Sequence, residues 1–223
     1  MQRKWRNGYQ IGTMQHHSFT FNPIQVNTFI LWDETRECII VDAACSNPRE
    51  FEKLDHFIRS NGLKPVKLIN THGHFDHIMG VETCRERYGI KWEAHPGDAF
   101  WVENARQQGA LFGIPVQPVR KADAELNEGD RVTFGNSELQ VIHVPGHSQG
   151  SVCFHNEASK ILIAGDVLFR GSIGRTDLPG GDYETLISGI QSKLLVLPDD
   201  VTVFSGHGPS STIGEERRGN PFL

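Results

Sequence analysis

Residues 71–77 read Thr-His-Gly-His-Phe-Asp-His, which puts three imidazoles and one carboxylate within six positions. Neutral imidazole suits zinc and iron, and a carboxylate suits either. His72 and His74 are two apart, so a short extended turn aims both at one point. Asp76 and His77 are adjacent where the chain turns into a helix, and their side chains diverge. The spacing points to two metal positions, one held by His72 and His74, the other by Asp76 and His77. Three further donors arrive singly. His147 follows the apolar run 139–144 and Pro145-Gly146, Asp166 follows 160–164 and Gly165, and His207 follows 201–204 and Ser205-Gly206. Glycine lets a backbone turn sharply and approach a site closely. One His after a Gly is an ordinary loop residue. Four strand ends that each offer His or Asp fit one edge of a sheet system.

The elements that must hold these donors are legible as runs of apolar residues. The stretch 66–70 is apolar and β-branched and reads as a buried strand, so the histidine motif sits in the loop that leaves it. Before it, runs at 18–21, 26–32 and 38–41 form a meander, with a turn at 33–36. Asn47-Pro48 starts a helix, Asn as the cap and Pro at the first position. Phe51, Leu54, Phe57 and Ile58 give that helix one apolar face, and Gly62 ends it. A helix is expected after the motif through Tyr88, another over 97–109, and a surface loop over 112–124. The second half repeats the theme with strands near 131–134, 138–144, 151–155 and 160–164, a helix over 183–195 and a last strand at 201–204. Strands with helices following them indicate an α/β fold whose sheets are covered outside by helices.

The order HxHxDH, GH, GD, GH resembles the metallo-β-lactamase-fold hydrolases, and the resemblance runs from about Val26 onward. Gly174-Arg175-Thr176-Asp177, Gly206-His207-Gly208-Pro209, and Glu215-Glu216-Arg217-Arg218 with Asn220-Pro221 are similar to the short single-domain branch of the glyoxalase II-like (hydroxyacylglutathione hydrolase-like) thioesterases. The resemblance implies a four-layer αββα sandwich, two mixed β-sheets flanked by helices. It implies that one metal takes His72, His74 and His147, that the other takes Asp76, His77 and His207, and that Asp166 bridges them. Class B β-lactamases usually carry Arg where His77 stands and a Cys on the second metal, so antibiotic hydrolysis is not expected. Arg175 falls where the long glyoxalase II enzymes put a glutathione-contacting lysine, in the Gly-rich, basic loop 169–175. A solvated surface arginine is the equal alternative there. The long enzymes also add a C-terminal helical domain with further glutathione contacts. This chain ends soon after His207, so the substrate is expected to be held more loosely or to differ.

The chemistry follows from charge. Two divalent ions, zinc first and iron or manganese next, bring four positive charges. Asp76, Asp166 and a bridging hydroxide remove three, which leaves a site ready for an anionic tetrahedral intermediate. Metal-bound water can have a pKa of about 7, so that hydroxide is the expected nucleophile, oriented by Asp76. One metal would polarise the carbonyl in place of an oxyanion hole. The expected reaction is hydrolysis of a thioester such as S-lactoylglutathione to a hydroxy acid and a thiol. The alternative in the same superfamily is a persulfide dioxygenase that uses one Fe(II) on His72, His147 and Asp166 and acts on glutathione persulfide. Lactone hydrolysis is a lesser branch, and a non-catalytic metal-binding domain the remaining one.

Composition agrees with an enzyme of this kind. The 223 residues are 38% hydrophobic and 22% charged, as in globular rather than disordered chains, and are expected to form one domain over 1–223. The net charge is −5 and no long basic run exists, so nucleic acid is not an expected partner, and no segment is long and apolar enough to span a bilayer, so neither is a membrane. The partner expected is a small-molecule thioester, which the resemblance implies is glutathione-derived. Met1 to Arg6 is basic, but no apolar stretch follows to complete a secretory signal. Residues 1–13 carry little pattern and are expected to be an N-terminal extension, with Met14 a possible alternative start. Cys38, Cys45, Cys84 and Cys153 contain no C-x-x-C pair, so core thiols in a reducing cytoplasm are expected.

Overall fold

Alternation along the opening strands decides the layers. β3 (Gln15–Phe21), β4 (Val26–Trp32) and β5 (Glu37–Val41) form the antiparallel meander. Successive side chains of a strand point to opposite faces, and β4 is apolar on both. Ile30 and Trp32 join one apolar layer, Phe29 and Leu31 another. The chain is described here by a computed structural model that covers residues 14–223 and the backbone of two short strands, β1 (Trp5–Arg6) and β2 (Tyr9–Gln10). The expectation for residues 1–13 otherwise lies outside the described residues.

The first sheet continues in parallel from β5 to β6 (Lys64–Ile69), β7 (Lys91–Ala94) and β8 (Ala124–Glu125). Its connections are helical. α1 (Pro48–Ser60) links β5 to β6. Asn47 caps it by accepting from Arg49 and Glu50 amides, as the sequence indicated. α2 (Phe75–Ile78) and α3 (Val81–Tyr88) link β6 to β7, and Gly89 ends α3 in a left-handed conformation. The helix expected over 97–109 is divided. A 3-10 turn at Pro96–Asp98 leads into α4 (Ala99–Glu103) and then α5 (Ala105–Leu111). The break falls at Asn104, the C-cap of α4, whose backbone N–H and side-chain amide both donate to the Phe100 carbonyl.

The second sheet contains β9 (Arg131–Phe134), β10 (Ser137–His143), β11 (Val152–Asn156) and β12 (Ile161–Gly165) in antiparallel order. A small hairpin of β13 (Leu168–Phe169) and β14 (Ser172–Ile173) follows. α6 (Tyr183–Gly189) runs into a π-helical turn at Ile190–Leu194, in place of one continuous helix. β15 (Thr202–Ser205) returns parallel to β12, and β16 (Ser211–Thr212) closes the edge. α7 (Ile213–Gly219) was not expected from apolar periodicity. Its signal is the capping box Thr212-x-x-Glu215, which the structure forms in both directions.

Three apolar layers result. One lies between the first sheet and its helices, with Leu54, Ile58, Leu68 and Val81. One lies between the sheets, with Phe29, Val41, Leu139 and Phe154. The third lies between the second sheet and its helices, with Val144, Leu186, Ile190 and Ile213. The architecture is the αββα sandwich of two mixed sheets. Among the described residues no helix is long and apolar enough to cross a membrane.

Candidate metal centre

The histidine motif leaves β6, the loop 145–151 joins β10 to β11, Asp166 follows β12, and His207 follows β15. Parallel pairing sets Gly165 opposite Ser205, and the Gly206 amide donates to Gly165 O at 2.8 Å. The sheets are stapled together at this end. Val152 N donates to Thr71 O at 2.8 Å, Asn27 N to Gly206 O at 2.7 Å, and Asn27 Nδ2 to Ser205 O and Gly208 O. Gly206 has to be glycine, because a Cβ there would stand 2.1 Å from Asp166 Oδ1.

This frame brings all seven expected donors together. The donor atoms of His72, His74 and His147 lie within 4.8 Å of one another, and so do those of Asp76, His77 and His207. His72 Nε2 is 3.3 Å from His147 Nε2, and His77 Nε2 is 3.4 Å from His207 Nε2. Two nitrogens on one tetrahedral ion, each about 2.0–2.1 Å from it, stand about 3.3–3.4 Å apart. Asp166 lies between the triads. Its Oδ2 is 3.7 Å from His147 Nε2 and 3.4 Å from His207 Nε2, and its Oδ1 is 3.5 Å from His77 Nε2. Asp76 Oδ2 is 3.5 Å from His207 Nε2.

The far sides of the rings are already tied. His77 Nδ1 donates to Asp42 Oδ2 at 2.9 Å, His147 Nδ1 to Arg175 O at 2.8 Å, and His207 Nδ1 to Ile24 O at 3.1 Å. These acceptors require Nδ1–H, so Nε2 carries the inward lone pair when the ring is neutral. His72 Nδ1 meets Thr71 Oγ1 at 3.1 Å; that hydroxyl spends its proton on Asp42 Oδ2, so it accepts from His72. His74 Nε2 and Asp166 Oδ1 are buried with no hydrogen-bond partner among the described residues. Inward lone pairs, orphaned polar atoms and matched separations fit divalent metal ions.

The two triads differ electrically. Burial, with neighbouring imidazoles, keeps His72 well below its ordinary value and His74 down at about 3, so both are neutral. Burial also works against charge on His77 and His207. There, however, Asp166 and Asp76, with Asp42 under His77, outweigh it and raise the two to about 9 and about 10. Burial would raise Asp166, yet His77 and its neighbours hold it well below the carboxylate range. The remaining histidines stay apart: His16 packs on Phe204, His17 on Phe57 and His95 on His143.

Asp42 was not expected. It is fully buried and holds Thr71 N, Thr71 Oγ1, Asn70 Nδ2 and His77 at once. Its φ of 52° is left-handed, a conformation that Asp tolerates better than most residues. It follows the apolar run 38–41, the same strand-then-donor pattern that marked His147, Asp166 and His207. Arg175 is exposed, and its guanidinium is forked on Asp177 at 2.7 Å through both nitrogens. What reaches the cluster is its backbone carbonyl, through His147.

A family model described as the metallo-beta-lactamase superfamily matches residues 21–207. The chain belongs to the metallo-beta-lactamase superfamily. Among superfamily relatives it is similar to hydroxyacylglutathione hydrolase GloC of Haemophilus influenzae. The two are 38% identical over 201 residues, which cover 89% of this chain and 93% of the relative. Among solved structures it is similar to the BLEG-1 B3 metallo-beta-lactamase (37% identity, 94% of this chain and 99% of that one, TM-score 0.86). It is also similar to TTHA1623 in a di-iron-bound form (36% identity, 93% and 100% covered, TM-score 0.84). Membership makes the chain a metallo-hydrolase by family, and superfamily folds of this kind bind divalent metals.

Proposed function

We propose that this chain is a dinuclear thioesterase of glyoxalase II type, which hydrolyses a glutathione-derived thioester such as S-lactoylglutathione to a hydroxy acid and a thiol. The observation that carries the reading is Asp166 Oδ2, set 3.7 Å from a nitrogen of one triad and 3.4 Å from a nitrogen of the other. One carboxylate shared by two triads suits a pair of metals. In this reading His72, His74 and His147 hold one ion, Asp76, His77 and His207 the other, and Asp166 both. Zinc is the first choice for such nitrogen-rich sets, and iron is supported by the di-iron relative.

The ions, when bound, would polarise the thioester carbonyl and make hydroxide available near neutral pH. The chain's own groups do the rest. Asp76 would orient the attacking water. Asp42, Arg175 O and Ile24 O fix the ring orientations. A thiolate leaves readily, so no strong general acid is required. Cysteine does not compete as nucleophile, since all four are buried. Burial, with Glu37 beside it, pushes the Cys38 thiol up to about 12. Four cysteines outside any disulfide support a reducing compartment, and we place the enzyme in the cytoplasm.

The test is thiol release from S-lactoylglutathione without oxygen, with metal analysis of the same sample. Two metals per chain and turnover that a chelator abolishes are expected. One iron per chain, no thioester turnover and oxygen uptake with glutathione persulfide would replace the reading with a dioxygenase. Turnover of a β-lactam in place of the thioester would move it to the activity for which BLEG-1 is named.

A further inference from the structure

A second buried carboxylate lies just outside the cluster. Asp98 closes the 3-10 turn before α4 and is 2% exposed. Its Oδ2 accepts from Gly73 N and from Ser148 Oγ, both at 2.8 Å, and its Oδ1 accepts from Gly150 N at 2.7 Å. Gly73 lies between His72 and His74. Ser148 directly follows His147, and Gly150 belongs to the same turn. The first loop leaves the first sheet, and the second belongs to the other. Both glycines pack on the aspartate itself. A Cβ at Gly73 would stand 2.8 Å from Asp98 Cβ, and one at Gly150 would stand 2.6 Å from Asp98 Cγ.

An ionised carboxylate is costly to bury unless it is paired or well hydrogen-bonded. No cation pairs with Asp98 among the described residues, so neutral donors alone satisfy it, and these donors come from the two ligand loops. We propose that Asp98 is a positioning residue for the His72–His74–His147 point, tying its two loops to one carboxylate and so fixing the separation of their donors. The assignment rests on the metallo-hydrolase reading above. It is specific to one point. His77 is held by Asp42, His207 by Ile24 O, and the Gly206 turn by Asn27, and none of these touches Asp98. Loss of the carboxylate leaves two buried N–H groups unpaired, and the loops must turn to find other acceptors.

The experiment isolates each point. His207→Ala leaves the first triad intact, and His74→Ala leaves the second. Zinc is titrated against a chromophoric chelator into each background, with and without Asp98→Asn. The amide keeps the volume but can accept from only one of the two backbone donors. Ser148→Ala, which removes one anchor of three, is measured alongside as the milder change. Supporting partners of metal ligands typically contribute 10–100-fold in metal affinity. Asp98→Asn is therefore expected to weaken zinc by about 10–100-fold in the His207→Ala background and to leave the His74→Ala background nearly unchanged. Ser148→Ala should act in the same background with a smaller factor. Metal-free thermal melts of the same variants separate positioning from general destabilisation. Equal weakening at both points, or none at the first, would overturn the assignment while leaving the hydrolase reading in place. A parent chain that binds no zinc would remove both.

Discussion

In the proposed reading Asp166 is the residue that both triads share. Asp166→Ala should lower metal content at both points, whereas His207→Ala should chiefly empty one, and elemental analysis of the two purified variants reads the difference. Retention of two metals in Asp166→Ala would sink the bridging assignment. Arg175 carries a different expectation. If it meets a substrate carboxylate, it must exchange Asp177 for that group. A charge-assisted hydrogen bond contributes about 1.5–3 kcal/mol, so Arg175→Ala should lower kcat/KM for a glutathione thioester by roughly ten- to a hundredfold, mostly through KM. Asp177→Ala should lower KM, because it frees the fork. Steady-state kinetics, with a small uncharged thioester as control, decide. The donors themselves were legible because His72, His74, Asp76 and His77 crowd into one motif, and His147, Asp166 and His207 each follow an apolar strand-like run that ends in Gly. Asp42 and Asp98 were not, since a buried carboxylate in a strand exit or a Pro-Gly-Asp turn looks like any polar loop residue until its donors are seen. Asp42 also changes the charge count, as it adds a negative charge directly beneath His77 that the count from sequence omitted.

Elements come together through similar polar ties. Asp55 of α1 accepts from Arg87 and Tyr88 of α3 and from Arg59 one turn on. The Arg87 hydrogen bonds, against the effect of burial, hold its carboxyl below the ordinary 3.8. A depressed carboxyl pKa stabilises the fold fully above the ordinary value, and the contribution is lost as pH falls through the folded-state value. Asp55→Asn should therefore melt below the parent at pH 7, and the gap should narrow below about pH 4; thermal melts across pH 2–7 measure it. At this scale the sequence was informative wherever an element had a cap or an apolar run, as at Asn47 and β4. It failed where tertiary packing, not local pattern, makes the element. β7 has only Trp92 and Ala94 as apolar inward residues, and β13–β14 is a hairpin of two-residue strands.

For the whole molecule, the layer between the sheets bears most directly on the site, since both triads draw donors from both sheets. Phe154 is fully buried there. Phe154→Ala should cost about 3–5 kcal/mol, a large part of the roughly 5–15 kcal/mol typical of a domain, and chemical denaturation reads it directly. We propose that residues 14–223 unfold as one cooperative unit. Coincident fluorescence and circular-dichroism transitions are expected, and two separated transitions would divide the domain assigned here. Fold class was readable at this scale because strand runs and helices recur in each half. The pairing of β12 with β15 was not, because parallel neighbours distant in sequence leave no local mark.

The connection over 112–123 separates the stretch that forms β3 to β7 from the stretch that forms β8, the edge of the first sheet, and the whole second sheet. The stretch before it carries His72, His74, Asp76 and His77, and the stretch after it carries His147, Asp166 and His207. Neither fragment owns a complete triad. A protein cut in that loop would thus be a reconstitution system with a built-in reporter: high-affinity metal uptake would appear when the fragments are mixed and be weak in either alone. The ion would act as a non-covalent clasp whose strength measures how well the fragments have found each other.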